Sequence, residues 1–209
     1  MTKPLRAVYK TPYRNVVIPL RWDAKMSILT YSGGADSVIL LYCLLENGFI
    51  PDKLVYVYMD LPGIEHKTKA VMDTIIYMEN KFNVDLQSRL VHRYQDAQVL
   101  ARAVAYSDFG EADVIYTGTT QNPPKELITA HMPARPPTGI VNNYSKYENP
   151  FGTFDKRATV FLYTLLGITD LLELTRSCPV LIPEPCGRCF HCQERKWAID
   201  LVDQLAVVK

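Results

Sequence analysis

The chain has no long apolar run, no excess of charge and few cysteines outside one short segment. No stretch of its 209 residues reaches the roughly 20 apolar residues of a membrane-spanning helix, and the N-terminus lacks the pattern of a secretory leader. A formal net charge of +1 gives no general attraction to nucleic acid or to a membrane surface. These absences predict a soluble, cytoplasmic protein that acts without a membrane and for which nucleic acid is not the expected partner.

The sequence also lacks two common phosphate-binding patterns, the Gly-Lys-Ser/Thr ending of a Walker A loop and the Gly-x-Gly-x-x-Gly of a dinucleotide fold. In their place it has MSILTYSGGADS, residues 26–37, which joins an apolar strand to a helical pattern that runs to Asn47. The two glycines let the backbone approach a ligand closely, and the amides that open a helix favour an anion. An ordinary turn capped by Asp36 or Ser37 is the alternative. The segment predicts a phosphate-binding turn, which we call the cradle, made of Ser32, Gly33, Gly34, Ala35, Asp36 and Ser37.

Strands and helices alternate along most of the remaining chain. The patterns predict strands at 54–60, 86–92 and 114–117, and helices at 67–83 and 95–106. This alternation predicts an α/β fold with a doubly wound, mostly parallel sheet of the Rossmann-like type. Ligands of such sheets bind beyond the carboxyl ends of the strands. The cradle, the segment from Asp60 to His66 and the loop at Gly118 all leave the sheet at that edge and are therefore expected to converge.

Three segments fall outside this alternation. Residues 1–25 combine basic residues with a short apolar stretch and predict an N-terminal extension, either an extended arm or an edge hairpin. Residues 121–150 are polar and rich in proline, as is typical of a lid or substrate loop. A helix capped by Thr153 or Asp155 and a shorter helix at 168–174 follow. The predicted domains are the extension (1–25), a nucleotide-binding domain (26–175) and a small metal-binding domain with a C-terminal helix (176–209).

Four of the five cysteines lie close together near the C-terminus. They are Cys178, Cys186, Cys189 and Cys192. This spacing, with Gly187 at a tight turn, predicts a structural site in which four thiolates bind one tetrahedral Zn²⁺ ion. An iron–sulfur cluster, a site in which His191 replaces one cysteine, and disulfides remain open, although disulfides are rare in the cytoplasm. Cys43 has apolar neighbours at helical spacing and is predicted to be a buried core residue.

The cradle and the cysteine cluster together resemble the 7-cyano-7-deazaguanine synthase family of PP-loop N-type ATP pyrophosphatases, which belongs to queuosine-type base biosynthesis. The resemblance is strongest over residues 28–45 and 149–195, which keep the family's order of Pro, Lys, Leu-Gly, Thr-x-Ser-Cys and C-G-x-C-x-x-C-x-x-R. It implies that the cradle binds ATP and that Asp36 orients Mg²⁺. Lys156, together with Arg157, would face the phosphates, and the four cysteines would bind zinc. His66 is a candidate general base or substrate-binding residue.

The same resemblance implies a ligase reaction. 7-Carboxy-7-deazaguanine and ammonia would be converted to 7-cyano-7-deazaguanine through an acyl-adenylate, with release of AMP and pyrophosphate. Two stretches depart from the family. Ile64 stands where the family has Gln, and the substrate loop expected after Gly118 reads TTQNPPKELITAHMPARPP, in which Arg135 is a candidate partner of a substrate carboxylate.

Other classes of function share these features. DLPGIEHKTK, residues 60–69, is similar to the Asp-x-Gly-x-Glu region of the phosphoadenosine-phosphosulfate reductases. Another PP-loop pyrophosphatase, such as an amidotransferase, a tRNA thiolase or a sulfonucleotide reductase, is therefore one alternative. A zinc-stabilised nucleotide- or nucleic-acid-binding module that uses the basic N-terminal arm is the other. The predicted partners are a small deazapurine-like substrate and ammonia, and a homodimer is one assembly that the sequence allows.

Overall fold

The computed structural model describes residues 4–58, 63–94, 110–125, 146–180 and 182–207. Its first element is an antiparallel hairpin of β1 (Arg6–Tyr9) and β2 (Val16–Pro19). Alternate residues of both strands are buried, so that one face of the hairpin joins the main hydrophobic core. Of the two forms predicted for the N-terminal extension, the structure has the hairpin.

A five-stranded parallel sheet forms the centre of the molecule. Its strands are β3 (Ser27–Thr30), β4 (Lys53–Tyr58), β5 (Leu90–Tyr94), β6 (Val114–Tyr116) and β7 (Tyr147–Glu148). Their order across the sheet is β5-β4-β3-β6-β7, and every pair of neighbours is parallel. The predicted α/β fold with a parallel sheet is confirmed.

Five α-helices accompany the sheet in the described part of the chain. They are α1 (Ala35–Glu46), α2 (Glu65–Phe82), α3 (Lys156–Leu165), α4 (Thr169–Leu174) and α5 (Phe190–Val207). Ten of the twelve residues of α1 are buried, because its sequence is apolar on nearly every side and it packs between the sheet, α2 and α3. Cys43 is fully buried in this helix, as predicted. Within the described ranges, no helix combines the length and the apolar character needed to cross a membrane.

The strand order places a crevice between β3 and β6. After β3 the chain adds β4 and β5 next to one edge of β3, and then returns to add β6 and β7 next to its other edge. Loops that leave the carboxyl ends of β3 and β6 therefore separate, and this switch point is where parallel α/β sheets bind ligands. The cradle follows β3 and the Gly118 loop follows β6, so both lie at this position.

The structure differs from the sequence-based predictions in a few elements. The strand predicted at 86–92 begins with a 3₁₀ turn at Gln87–Arg89 and continues as β5 to Tyr94. The last strand, β7, lies inside the passage that was expected to be a loop. The helix predicted at 95–106 and the loop residue Arg135 lie outside the described residues.

Candidate functional site

The cradle turns sharply between β3 and α1 without a conventional helix cap. Gly34 is the N-terminal cap residue in an extended conformation, with φ −82° and ψ 158°, and no side chain caps the helix. The Ser32 amide donates to Oγ of Ser37 over 3.2 Å, and that hydroxyl donates to the Gly34 carbonyl over 3.1 Å. The cradle is thus closed on itself by its two serines, and neither Asp36 nor Ser37 acts as the side-chain cap of α1.

At two positions of the site the backbone lies so close to a neighbouring element that only glycine fits. Gly33 has φ +68°, and a Cβ on it would lie 2.8 Å from Cγ2 of Val71 in α2. A Cβ on Gly118 would lie 2.7 Å from the carbonyl carbon of Asp36. The loop after β6 therefore rests directly on the start of α1, and the predicted convergence of Gly118 with the cradle is present in the structure.

A cavity of about 370 Å³ opens beside the cradle. Its walls come from the cradle, the loop after β6, the first turn of α2 and the segment that leads into the first cysteine of the cluster. Its volume falls within the range of about 300–1,000 Å³ that is usual for small-molecule sites. Its lining includes Ser32, Asp36, Ser37, Lys67, Gly118, Lys156, Arg176, Ser177 and His191.

Lys156 reaches the cradle, but its charge is matched by carboxylates of the protein. Its ammonium forms an ion pair with Asp36 and lies 3.9 Å from a carboxylate oxygen of Glu194. Thr159 also donates to Asp36, over 2.8 Å. Side-chain exposure is 4% for Lys156, 15% for Asp36 and 0% for Glu194. Because each buried charge depends on its partner, this pair fixes α3 against the first turn of α1.

Arg157 and His66 do not line the cavity. The Arg157 guanidinium forms an ion pair with Asp155 over 2.6 Å and stands 5.0 Å from the Tyr13 ring and 5.1 Å from the Trp197 ring. His66 lies 3.7 Å from the exposed carboxylate of Glu65. The structure thus brings Lys156 and Gly118 to Asp36 of the cradle. Arg157 and His66, which were also predicted site residues, lie outside the cavity wall.

Lys67, which sequence reasoning missed, is the residue of α2 that lines the cavity. Burial lowers the pKa of its ammonium, and the positive charge of Arg176 lowers it further. Lys67 lies beside His66 in the segment from Asp60 to Lys69, and histidine is the residue type there that more often acts in acid–base chemistry near neutral pH.

The segment before the first cysteine of the cluster connects the cradle to that cluster. The Arg176 amide donates to the Gly33 carbonyl over 2.9 Å, and the Ala35 amide donates to Oγ of Ser177 over 3.4 Å. The Arg176 guanidinium donates to the carbonyls of Val180, Ile182 and Pro183. Arg176 and Ser177 belong to the Thr-x-Ser-Cys stretch noted in the sequence. The periodicity of apolar residues does not predict their contacts with the cradle.

The four clustered cysteines form one compact group. Their sulfurs all lie within 4.8 Å of one another, with Cys178 at 3.6 Å from Cys186 and 3.8 Å from Cys189. The Cys189 amide donates to the sulfur of Cys186 over 3.4 Å. Backbone amides of Arg188 and Cys189 lower the pKa of Cys186 to about 6, whereas burial raises the pKa of Cys189 and of Cys192. The cluster can bind a metal ion, and none of the five cysteines is in a disulfide.

A second cavity, of about 350 Å³, lies on the far side of the same segment. It shares Arg176, Ser177 and His191 with the first cavity and extends towards the cysteine cluster and α5. These three residues therefore form a common wall between the two cavities.

No protein-family profile matches the chain, and no curated protein sequence matches it either. Among solved structures, the chain is similar to the U34-tRNA thiolase NcsA from Methanococcus maripaludis with its 4Fe–4S cluster. The identity is 14% and the TM-score 0.39, over 86% of this chain and 66% of the thiolase chain. So remote a similarity indicates neither the substrate nor the metal of this protein.

Proposed function

We propose that this protein is a PP-loop ATP pyrophosphatase, an enzyme that uses ATP to activate a substrate oxygen by adenylation and releases pyrophosphate. The observation that carries the proposal is the position of the cradle. Its SGGADS sequence lies at the switch point of a parallel sheet, beside Gly118 and a cavity of about 370 Å³. The amides at the start of α1 suit phosphate oxygens because a helix N-terminus carries partial positive charge.

The acceptor that the sequence resemblance favours is 7-carboxy-7-deazaguanine. Its carboxylate would attack the α-phosphorus of ATP, forming an acyl-adenylate and releasing pyrophosphate, and ammonia would then displace AMP to give the amide. Adenylation of the amide oxygen by a second ATP and loss of AMP would leave the nitrile. The protein would contribute mainly position and electrostatic stabilisation, with the cradle amides on the departing pyrophosphate.

Mg²⁺ would bind chiefly through phosphate oxygens and water, as it does in most nucleotide sites. Asp36 is the carboxylate among the described residues that line the cavity. It is engaged by Lys156 and Thr159, which leaves it suited to orienting metal-bound water rather than to donating several ligands.

For the cysteine cluster we propose one structural zinc ion. Four sulfurs at about 2.3 Å from a tetrahedral zinc lie about 3.8 Å from one another. The distances of 3.6 and 3.8 Å from Cys178 to Cys186 and Cys189 suit that arrangement. In a 4Fe–4S cluster each cysteine binds a different iron, which holds the sulfurs farther apart. Metal analysis of the purified protein should give about one zinc per chain, and iron with a charge-transfer absorbance would contradict the proposal.

The enzymatic proposal is tested by incubating the full chain with ATP, Mg²⁺, ammonium and 7-carboxy-7-deazaguanine. We expect AMP and pyrophosphate to appear with the nitrile, which mass spectrometry of the base detects, and little AMP in the control without acceptor. AMP without nitrile would exclude this acceptor and retain the enzyme class. Bound ATP with no AMP under any acceptor would favour the nucleotide-binding module instead.

A further inference from the structure

The side of the cavity formed by α2 has a positive charge that no described carboxylate balances. Lys67 lies in the first turn of α2 and lines the cavity, and among the described residues no carboxylate is within ion-pair distance of its ammonium. Lys69, two residues along the same helix, is 73% exposed and forms an ion pair with Asp73. Of the two lysines near the start of this helix, Lys69 faces solvent and is paired, and Lys67 faces the cavity with no carboxylate partner among the described residues.

Arg176 adds a buried donor to the wall between the two cavities. Only 8% of the residue is exposed, and its two terminal nitrogens donate to backbone carbonyls between Cys178 and Cys186, a stretch that we call the cysteine segment. Its Nε is buried and contacts no acceptor among the described residues. A buried N–H without an acceptor is costly, so a ligand that supplies an oxygen at this position gains affinity.

Lys156, by contrast, brings no free charge to the cavity. Its ammonium is paired with Asp36 and lies close to Glu194, so its attraction for an added anion is offset. The lysines and arginines that line the cavity among the described residues are Lys67, Lys156 and Arg176. Within those residues, Lys156 forms ion pairs with carboxylates and the other two do not.

We propose that the ammonium of Lys67 and the Nε–H of Arg176 form an anion subsite for the terminal phosphates of ATP and for the pyrophosphate that leaves. The assignment to ATP rests on the proposed function, whereas the affinity for a polyphosphate anion does not. An anion between the two groups would offset the repulsion between Lys67 and Arg176, which after burial is the second cause that lowers the pKa of Lys67. Pyrophosphate offers several oxygens for such charge-assisted hydrogen bonds.

The test is calorimetric titration of inorganic pyrophosphate into the full chain at low ionic strength, without ATP or acceptor. Lys67→Gln should weaken binding about tenfold or more, since a charge-assisted hydrogen bond is lost. Lys67→Arg should retain most of the affinity. Lys69→Gln is the matched control and should stay within about twofold of the parent protein, because its charge faces solvent. Unchanged thermal unfolding of each variant establishes that the chain is folded.

Arg176 is tested without substitution, because its guanidinium also holds the cysteine segment. In a ¹⁵N-labelled sample, pyrophosphate should shift the Nε–H resonance of Arg176, and no shift would remove Arg176 from the subsite. Equal affinity of Lys67→Gln and the parent protein, or no binding by either, would overturn the proposal. Lys67-dependent pyrophosphate binding in a protein that never cleaves ATP would leave the subsite standing and defeat the proposed enzyme. Cleavage of ATP by a protein whose pyrophosphate affinity does not depend on Lys67 would support the proposed enzyme and defeat the subsite.

Discussion

The ion pair between Asp36 and Lys156 joins the first turn of α1 to the first residue of α3 at the edge of the cavity. Removing one member of such a pair leaves an uncompensated charge in a poorly hydrated place, which is more costly than the pair itself is stabilising. At the scale of single residues, this pair contributes to the integrity of the site before it contributes to any chemistry.

Asp36→Asn should therefore lower the free energy of unfolding by about 3 kcal/mol, because Lys156 would remain buried with only the more distant carboxylate of Glu194 near it. Urea denaturation measures the change. Lys156→Met alone should be at least as destabilising, since it leaves both Asp36 and the buried Glu194 without the ammonium. A single variant as stable as the parent protein would show that the pair is not buried in solution.

Gly118 supports a second prediction at this scale. In Gly118→Ala the new methyl group would meet the backbone of Asp36 at 2.7 Å, so the loop after β6 must move away from the cradle. We expect a loss of about 1–3 kcal/mol in stability and weaker ATP binding, measured by denaturation and calorimetry. Gly110→Ala is the matched control, because no atom of the described residues lies within 4 Å of its Cβ position. Equal behaviour of the two variants would contradict the close approach.

At the scale of elements, the N-terminal hairpin is part of the main core. Ile18 is fully buried and Tyr9 donates to Glu46 of α1 over 2.7 Å. A segment that looked like an extension thus covers one side of the most buried helix of the described chain.

Ile18→Ala should lower the free energy of unfolding by about 2–5 kcal/mol, because a fully buried aliphatic side chain is removed. Val17→Ala, its neighbour with 38% exposure, is the control and should change stability by less than about 0.5 kcal/mol. Chemical denaturation compares the two. Similar small effects for both would mean that the hairpin is detached from the core in solution.

The same elements show what sequence could and could not predict. The apolar run before the glycine turn predicted the strand, the turn itself predicted the cradle, and the apolar pattern after it predicted α1. The two-residue strand β7 carries no periodicity, and only its pairing with β6 makes it a strand. Successive residues of a helix differ by about 100° in direction, so the choice between His66 and Lys67 depended on how α2 is rotated against the sheet. The proximity of Glu194 to Lys156 depends on the packing of α5 on α3 and could not be read from either segment.

At the scale of the whole molecule, the cysteine cluster and the cradle form one continuous structure. Arg176 contacts the Gly33 backbone with its amide and three carbonyls of the cysteine segment with its guanidinium. A metal that organises the cysteine segment is therefore expected to organise one wall of the cavity as well.

Removal of the metal with a chelator should lower the unfolding temperature and weaken pyrophosphate binding together. Differential scanning fluorimetry and calorimetry measure the two effects, and added zinc should restore both. Cys178→Ser should reproduce the loss, whereas Cys43→Ser, which changes a core cysteine outside the cluster, should leave metal content unchanged. Unaltered pyrophosphate affinity in metal-free protein that is still folded would separate the cluster from the site.

The contacts of Arg176 and Ser177 with the cradle also have a consequence for biosynthesis. The ribosome makes residues 32–37 early, and the segment that closes the cavity follows some 140 residues later, as the separation of 142 residues between Ala35 and Ser177 shows. We expect a nascent chain arrested before residue 176 to bind no nucleotide even if its sheet has formed, which ribosome-bound chains of defined length can test. Nucleotide binding would then begin only when translation has passed the cysteine cluster.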